Sequence, residues 1–68
     1  MQDQKAALRY FGNQLRQARS RAGKTQKAAA EATGVQYQTI WSWEVGRNQP
    51  SSDHLRSLMN FYGLPEEE

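Results

Sequence analysis

The segment from residue 37 to residue 42 carries the side chains of this 68-residue sequence that are best suited to molecular contact. At about 100° per residue, a helix here would turn Ile40 and Trp43 together toward a core, with Gln38 roughly opposite them. The outward face then consists of Tyr37, Gln38, Trp41 and Ser42. None of these side chains is charged, although a solvated helix face usually carries lysine or glutamate. The pattern therefore indicates a surface built for contact.

The chemistry of this face fits the edges of DNA bases. The Gln38 amide can donate and accept at once, which matches N6 and N7 of adenine in the major groove. The hydroxyls of Tyr37 and Ser42 can each donate or accept a hydrogen bond. Trp41 could cover a thymine methyl or a deoxyribose. An alternative for Trp41 is that its ring folds sideways onto the preceding helix or the following loop, and Tyr37 has a similar alternative.

Basic side chains are concentrated in the first 27 residues of the chain. The formal net charge is +2, but seven of the nine lysines and arginines lie in this segment, where Asp3 is the only acid. Three of the seven acidic residues are the last three, Glu66 to Glu68. This distribution favours a polyanionic partner such as nucleic acid, and a merely solvated surface is the alternative.

The composition argues against several other classes of protein. There is no cysteine, so neither a disulfide framework nor a cysteine metal site is available. No apolar run approaches the roughly 20 residues that cross a bilayer. The single histidine, His54, lies beside Asp53, where we expect a helix end at the surface rather than a catalytic pair. We expect no enzyme, no metal, no cofactor and no membrane association, and a cytoplasmic location on the nucleoid.

Local signals predict four helices. Asp3 can cap a first helix that runs to about Arg21, and Thr25 can cap a second, alanine-rich helix of about eight residues. Gly34 is expected to form a left-handed turn before a third helix at 36–44. Ser51 or Ser52 then caps a fourth helix that ends at Gly63. The predicted apolar stripes of the first and fourth helices comprise Leu8, Phe11, Leu15, Ala18 and Ala22, and Leu55, Leu58, Met59 and Tyr62.

Two smaller expectations concern the third helix and the loop after it. Val35 and Ile40 bracket Gln36 as a hydrophobic staple, which makes Gln36 the cap residue although glutamine caps weakly. Gly46 is expected to close the third helix, and residues 45–50 are expected to form an exposed loop that includes Arg47.

The ordered pattern of these residues resembles the XRE-type helix-turn-helix family of phage repressors and Cro proteins. The matching residues are Gly12-Asn13-x-Leu15-Arg16-x-x-Arg19, Gly23-x-Thr25-Gln26, Ala30, Gly34-Val35 and Thr39-Ile40-x-x-Trp43-Glu44-x-Gly46-Arg47-x-x-Pro50-Ser51. The resemblance covers about residues 8–64. It implies an all-α, lambda-repressor-like bundle of four or five helices. The chain is then one domain, 1–68, with a core at 8–64 and an acidic tail or truncated continuation at 65–68.

The resemblance also implies roles for individual residues on double-stranded DNA. The base-reading positions, Trp41 included for its place on the outward face, are Gln36, Tyr37, Gln38, Trp41 and Ser42. The phosphate-binding positions are Gln26, Lys27, Arg47 and Asn48. Arg19 and Glu44 match a partly buried pair that ties the first helix to the third.

Some residues depart from the family pattern. Lys24 and Thr33 stand where the family usually has apolar side chains, and Ala29 stands where it usually has leucine. Together these residues thin the core around the second helix. We expect Trp43, Phe61 and Tyr62 to fill that space. Trp41 is unusual at its position, so a base preference cannot be transferred from relatives.

Two functions follow from this sequence. The first is a sequence-specific DNA-binding domain of a transcriptional repressor or regulator, acting as a homodimer on a palindromic operator. The second is an antitoxin-like or coactivator-like protein-interaction module, in which Trp41 and Tyr37 contact a protein partner. The basic residues around the reading face favour DNA. An additional effector domain or protein partner is compatible with either function.

Overall fold

The computed structural model describes residues 4–64, and within that range the chain forms four α-helices. They are α1 (Gln4–Arg21), α2 (Gln26–Thr33), α3 (Tyr37–Val45) and α4 (Ser52–Tyr62). The predicted all-α bundle is confirmed, and its helix limits agree with the sequence signals to within a residue or so. The predicted cap at Asp3 and the acidic end at 65–68 lie outside the described residues.

Short polar side chains begin α2 and α4 where the sequence predicted. The hydroxyl of Thr25 accepts from the Ala28 amide at 3.0 Å, and that of Ser51 accepts from the His54 amide at 3.2 Å. Each bond satisfies an amide that the first helical turn leaves without an intrahelical partner. Gly34 takes a φ of +74° and donates to the Ala30 carbonyl at 2.9 Å, which ends α2 and starts the turn into α3.

The core lies between all four helices, and α3 contacts both α1 and α2 while α4 packs on α2. Its buried apolar side chains are Leu15, Ala29, Ala30, Ile40, Trp43, Leu58 and Tyr62. Ile40 and Leu58 are almost completely covered, and burial of each such side chain contributes about 1.5–3 kcal/mol. The small side chains of Ala29 and Ala30 let α2 approach its neighbours closely.

Large aromatic side chains fill the space left by the small side chains of α2, as predicted from the sequence. Trp43 and Tyr62 are buried, and Phe61 packs against the edge of the core. The Lys24 ammonium lies 4.9 Å from the centre of the Phe61 ring, so it covers an aromatic face where an apolar side chain was expected. The Thr33 hydroxyl donates to the Ala29 carbonyl at 2.9 Å, which satisfies a polar group at a partly buried position.

The segment after α3 differs from the predicted exposed loop at both ends. Val45 belongs to the last turn of α3, because Gly46 is the left-handed residue that ends the helix and its amide donates to the Ser42 carbonyl. Pro50 is buried rather than exposed. Its ring is apolar, and it is covered where the chain enters α4.

Backbone-to-backbone contact joins α1 to α3 at Gly12. A β-carbon added at this buried glycine would lie 2.5 Å from the Trp43 carbonyl oxygen and 2.6 Å from that of Glu44. These atoms belong to the main chain of α3, so they cannot move aside by a change of rotamer. Glycine at position 12 therefore sets the distance between the two helices.

We predict that Gly12→Ala destabilises the protein by about 1–3 kcal/mol, because α1 must shift away from α3 to admit the methyl group. Urea unfolding monitored by circular dichroism measures the change in the free energy of unfolding. At an exposed helical position the same substitution stabilises by up to about 1 kcal/mol, so a gain in stability would contradict the close approach.

Candidate nucleic-acid interface

The outward face of α3 is arranged as its periodicity predicted. Ile40 and Trp43 are buried at 1% and 5% exposure, whereas Tyr37 and Trp41 are 52% and 42% exposed. Gln38 is exposed and Ser42 is partly exposed. The orientation of α3 thus leaves an uncharged aromatic and hydrogen-bonding surface open to a partner.

Gln36 stands at the start of this face with an extended backbone, at φ −80° and ψ 154°. Its exposed side chain makes no capping hydrogen bond, in keeping with the weakness of glutamine as a cap. Val35 before it packs against the core that contains Ile40, which is the staple predicted for this turn. The core thus fixes the entry into α3, and the Gln36 amide stays available for a partner.

The loop after α3 folds back onto the same face. The Arg47 amide donates to the Ser42 carbonyl at 2.9 Å, and the Asn48 side-chain amide donates to the Ser42 hydroxyl at 3.2 Å. The Arg47 guanidinium carbon lies 5.7 Å from the centre of the Trp41 ring. The contact with Arg47 agrees with the alternative that Trp41 lies against the following loop. Sequence reasoning missed the hydrogen bonds to Ser42, for which Gly46 at the end of the helix was the only signal.

The beginning of α2 carries the other group of predicted phosphate-binding residues. Lys27 is exposed in the first helical turn, which contains no acidic residue. The first backbone amides of a helix lack intrahelical acceptors and lie at its positive end, so they favour an anion. The Gln26 side chain, by contrast, turns inward and donates to Glu44 at 2.9 Å.

Glu44 lies at the centre of a buried polar cluster that confirms the predicted pair with Arg19. Its two carboxylate oxygens accept from Arg19 Nε at 2.6 Å and Arg19 Nη2 at 3.1 Å. Arg19 Nη1 donates to the Lys24 carbonyl at 3.0 Å, so the cluster also holds the turn between α1 and α2. The Glu44 side chain is only 3% exposed and that of Arg19 17%. The hydrogen bond to Glu44 raises the pKa of Arg19 against the opposing effect of burial.

Tyr62 lies near this cluster with a buried hydroxyl that has no hydrogen-bond partner among the described residues. Burial, and then the charge of Glu44, raise the pKa of Tyr62 to about 12, while Arg19 opposes the shift. An unpartnered buried hydroxyl costs free energy, so the aromatic ring rather than the hydroxyl stabilises the fold here.

His54 is less exposed than the sequence indicated. Its ring centre is 5.3 Å from that of Trp43, and Nδ1 is 3.2 Å from the Ser51 hydroxyl. It therefore joins the start of α4 to the inner face of α3. Within residues 4–64, no three His, Cys, Asp or Glu side chains are grouped to hold a metal ion. None of the helices described is long and apolar enough to cross a membrane.

Comparison with known proteins agrees with this architecture. Residues 10–68 match a family described as "Helix-turn-helix domain". The chain belongs to this helix-turn-helix family. The chain is also similar to the HTH-type transcriptional regulator ImmR of Bacillus subtilis (strain 168), with 36% identity over 54 residues. That match covers 79% of this chain and 42% of the relative, so the chain spans less than half the relative's length. These matches confirm the XRE-type resemblance drawn from the sequence.

We predict that Glu44→Gln destabilises this helix-turn-helix domain by about 3 kcal/mol, because the Arg19 guanidinium is left partly buried without its counter-charge. Urea unfolding measures the loss. The double variant Arg19→Leu with Glu44→Leu is the control. Its loss of unfolding free energy should be smaller than the sum of the losses in Arg19→Leu and Glu44→Leu alone, because no charge of the pair remains buried. A loss below about 1 kcal/mol in Glu44→Gln would mean that the pair behaves as an exposed one.

Tyr62→Phe should raise the free energy of unfolding at pH 7 by about 1 kcal/mol, because it removes the unpartnered hydroxyl. The folded protein keeps the Tyr62 proton to a higher pH than the unfolded chain does. The free energy of unfolding is therefore unaffected by this titration below about pH 10 and falls as the pH rises to about 12. The wild type should thus lose stability relative to Tyr62→Phe across that window.

Urea unfolding at a series of pH values measures both effects. Tyr10→Phe is the matched control, because Tyr10 is 68% exposed and its hydroxyl faces solvent. A loss of stability in Tyr62→Phe at pH 7 would indicate that the hydroxyl has a partner after all.

Proposed function

We propose that this helix-turn-helix domain binds double-stranded DNA sequence-specifically, with α3 in the major groove, and acts in transcriptional regulation. The observation that carries the proposal is the uncharged, hydrogen-bonding outward face of α3, with the Arg47 guanidinium near Trp41. A second cation, Lys27, is exposed in the first turn of α2, the helix that packs on α3. A helix of this kind fits the major groove, where base edges present distinct donor and acceptor patterns. The printed name of the relative from Bacillus subtilis supports a regulatory role.

The base-reading side chains in this proposal are Gln36, Tyr37, Gln38, Trp41 and Ser42. Gln38 is the best placed of them, because it is exposed near the middle of the face and its amide suits adenine. The Ser42 hydroxyl accepts from Asn48, which leaves its proton and one lone pair to offer to a base. Lys27 and the first amides of α2 contact phosphates on one side, and the loop that contains Asn48 approaches the backbone on the other.

The Gln26 side chain supports the interface indirectly. Its amide nitrogen is held by Glu44, so it connects the start of α2 to α3. We propose that the backbone amide of Gln26 contacts phosphate, while the side chain keeps α2 at a constant distance from the reading helix.

The finer parts of the proposal concern assembly and regulation. Two copies bound as a homodimer would place their α3 helices about 34 Å apart, one turn of DNA, on a palindromic operator. Repression would follow if that operator overlaps a promoter. Residues 1–68 would form one domain for this purpose.

Selection from a randomised duplex library at moderate salt tests the proposal. A palindromic consensus with half-sites about one turn apart would support the dimeric reader. A single asymmetric site would support DNA reading and reject the dimer. If nothing is enriched and binding stays weak and salt-sensitive, the protein-interaction module becomes the better hypothesis, since Tyr37 and Trp41 are exposed on the same face.

We predict that Gln38→Ala loses about 1–3 kcal/mol of binding free energy on the best site, because its bidentate contact with one base is removed. Fluorescence anisotropy with the selected duplex and with single base-pair variants measures both the loss and the relaxed preference. An equal loss on random DNA would show that Gln38 reads no base.

Two control variants belong with this measurement. Gln14→Ala removes an exposed glutamine from α1, beside α4, and should leave binding unchanged. Lys27→Ala should weaken all sequences alike and reduce the slope of log affinity against log salt by about one.

A further inference from the structure

We infer that Arg47 reads a guanine in the major groove and that Trp41 positions it there, as one specificity element. The inference rests on the proposed function and deepens it. The family resemblance assigned Arg47 to the DNA backbone, and the geometry points to the bases instead. Trp41, which is unusual at its position, gains a role as the platform for the arginine.

The Arg47 side chain crosses from the loop onto the reading face. Its guanidinium carbon lies 5.7 Å from the centre of the Trp41 ring, within the range of a cation–π contact. Trp41 projects from the outward face of α3 and is 42% exposed, so the guanidinium lies over the surface that would enter the groove. Together with Gln38 and Ser42, the two residues line one shallow cleft.

The backbone that carries Arg47 is held from two sides. The Arg47 amide donates to the Ser42 carbonyl at 2.9 Å, and Asn48 is bonded to the Ser42 hydroxyl. At Gly46 the chain lies so close to α1 that an added β-carbon would be 2.8 Å from the Arg9 α-carbon. The arginine therefore starts from an anchored loop and ends on an aromatic ring, which lowers the conformational entropy that binding would otherwise cost.

The hydrogen-bonding capacity of the guanidinium is unused among the described residues. A cation–π contact consumes no N–H donor, and the donors of the guanidinium form a planar fork. Arg47 forms no side-chain hydrogen bond or ion pair with the described residues. Two parallel donors match O6 and N7 of guanine, both of which are acceptors. Adenine would present its N6 amino group to the same donors, so guanine is preferred.

The position of this guanine relative to the base read by Gln38 follows from helix geometry. Trp41 is three residues beyond Gln38, a rise of about 4.5 Å along α3. Base pairs along the duplex are about 3.4 Å apart. We therefore expect the guanine one or two base-pair steps from the position that depends on Gln38.

Library selection with Arg47→Lys, Trp41→Leu and the wild type tests the inference. Lysine keeps the charge but lacks the planar fork, so random-DNA binding and the salt slope should stay near wild type. The preference for guanine at one position should fall by about 5-fold to 150-fold, the range expected for one bidentate contact. Trp41→Leu should weaken the preference at that same position, because the guanidinium loses its platform. Arg56→Lys, on the exposed side of α4, is the matched control and should select the wild-type consensus.

The outcomes separate the inference from the proposed function. If Arg47→Lys and Trp41→Leu both select the wild-type consensus unchanged, the inference is overturned while DNA reading stands. The same holds if Arg47→Ala weakens every sequence equally and lowers the salt slope by about one, since Arg47 is then a phosphate contact. If the wild type itself selects no consensus, the proposed function fails first. Circular dichroism of each exposed-site variant confirms that the fold is intact.

Discussion

The hydrogen bonding of the buried Glu44 carboxylate is the interaction on which the orientation of α3 depends. The carboxylate accepts from Arg19 of α1 and Gln26 of α2, while Arg19 also holds the Lys24 carbonyl in the turn between them. Helix α1, helix α2 and the turn between them are thus tied to the C-terminal end of α3. An ion pair of this kind need not add much net stability, because desolvation offsets the attraction. Its directional hydrogen bonds nevertheless specify one arrangement of the helices.

Small residues, together with the polar cluster, set the distances between the helices. Gly12 brings the main chains of α1 and α3 into contact, and Ala29 and Ala30 let α2 approach with little bulk. The volume that this leaves is filled from α3 and α4 by Trp43 and Tyr62. The consequence for function is that a nine-residue helix is supported on its inner side and leaves its outer side free. An isolated helix of that length is marginal in water, so packing must supply its stability.

The candidate interface extends beyond α3 to the loop that follows it. The hydrogen bonds to Ser42 and the cation–π contact of Arg47 with Trp41 make helix and loop one surface. A partner would then meet side chains that are already partly ordered, which reduces the entropy lost on binding. This arrangement also joins a cation to an otherwise uncharged face. A positive charge and hydrogen-bonding groups are thereby combined at one end of α3.

Local chemistry in the sequence determined the helices, their limits and the outward face of α3. The Thr25 and Ser51 caps and the Gly34 turn depend on near neighbours, and helical periodicity alone separates Ile40 from Gln38. The pair of Arg19 and Glu44 came from the family resemblance, since 25 residues separate its members.

Only the tertiary structure decided the contacts that depend on the path of a loop or on a rotamer chosen by packing. They include Arg47 on Trp41, Asn48 on Ser42, the inward turn of Gln26, the burial of Pro50 and the tilted contact of the His54 ring with Trp43. The physical reason is that helix caps and faces follow from backbone geometry within a few residues. A long polar side chain, by contrast, has several staggered conformations of similar energy, and its surroundings in the folded chain select among them.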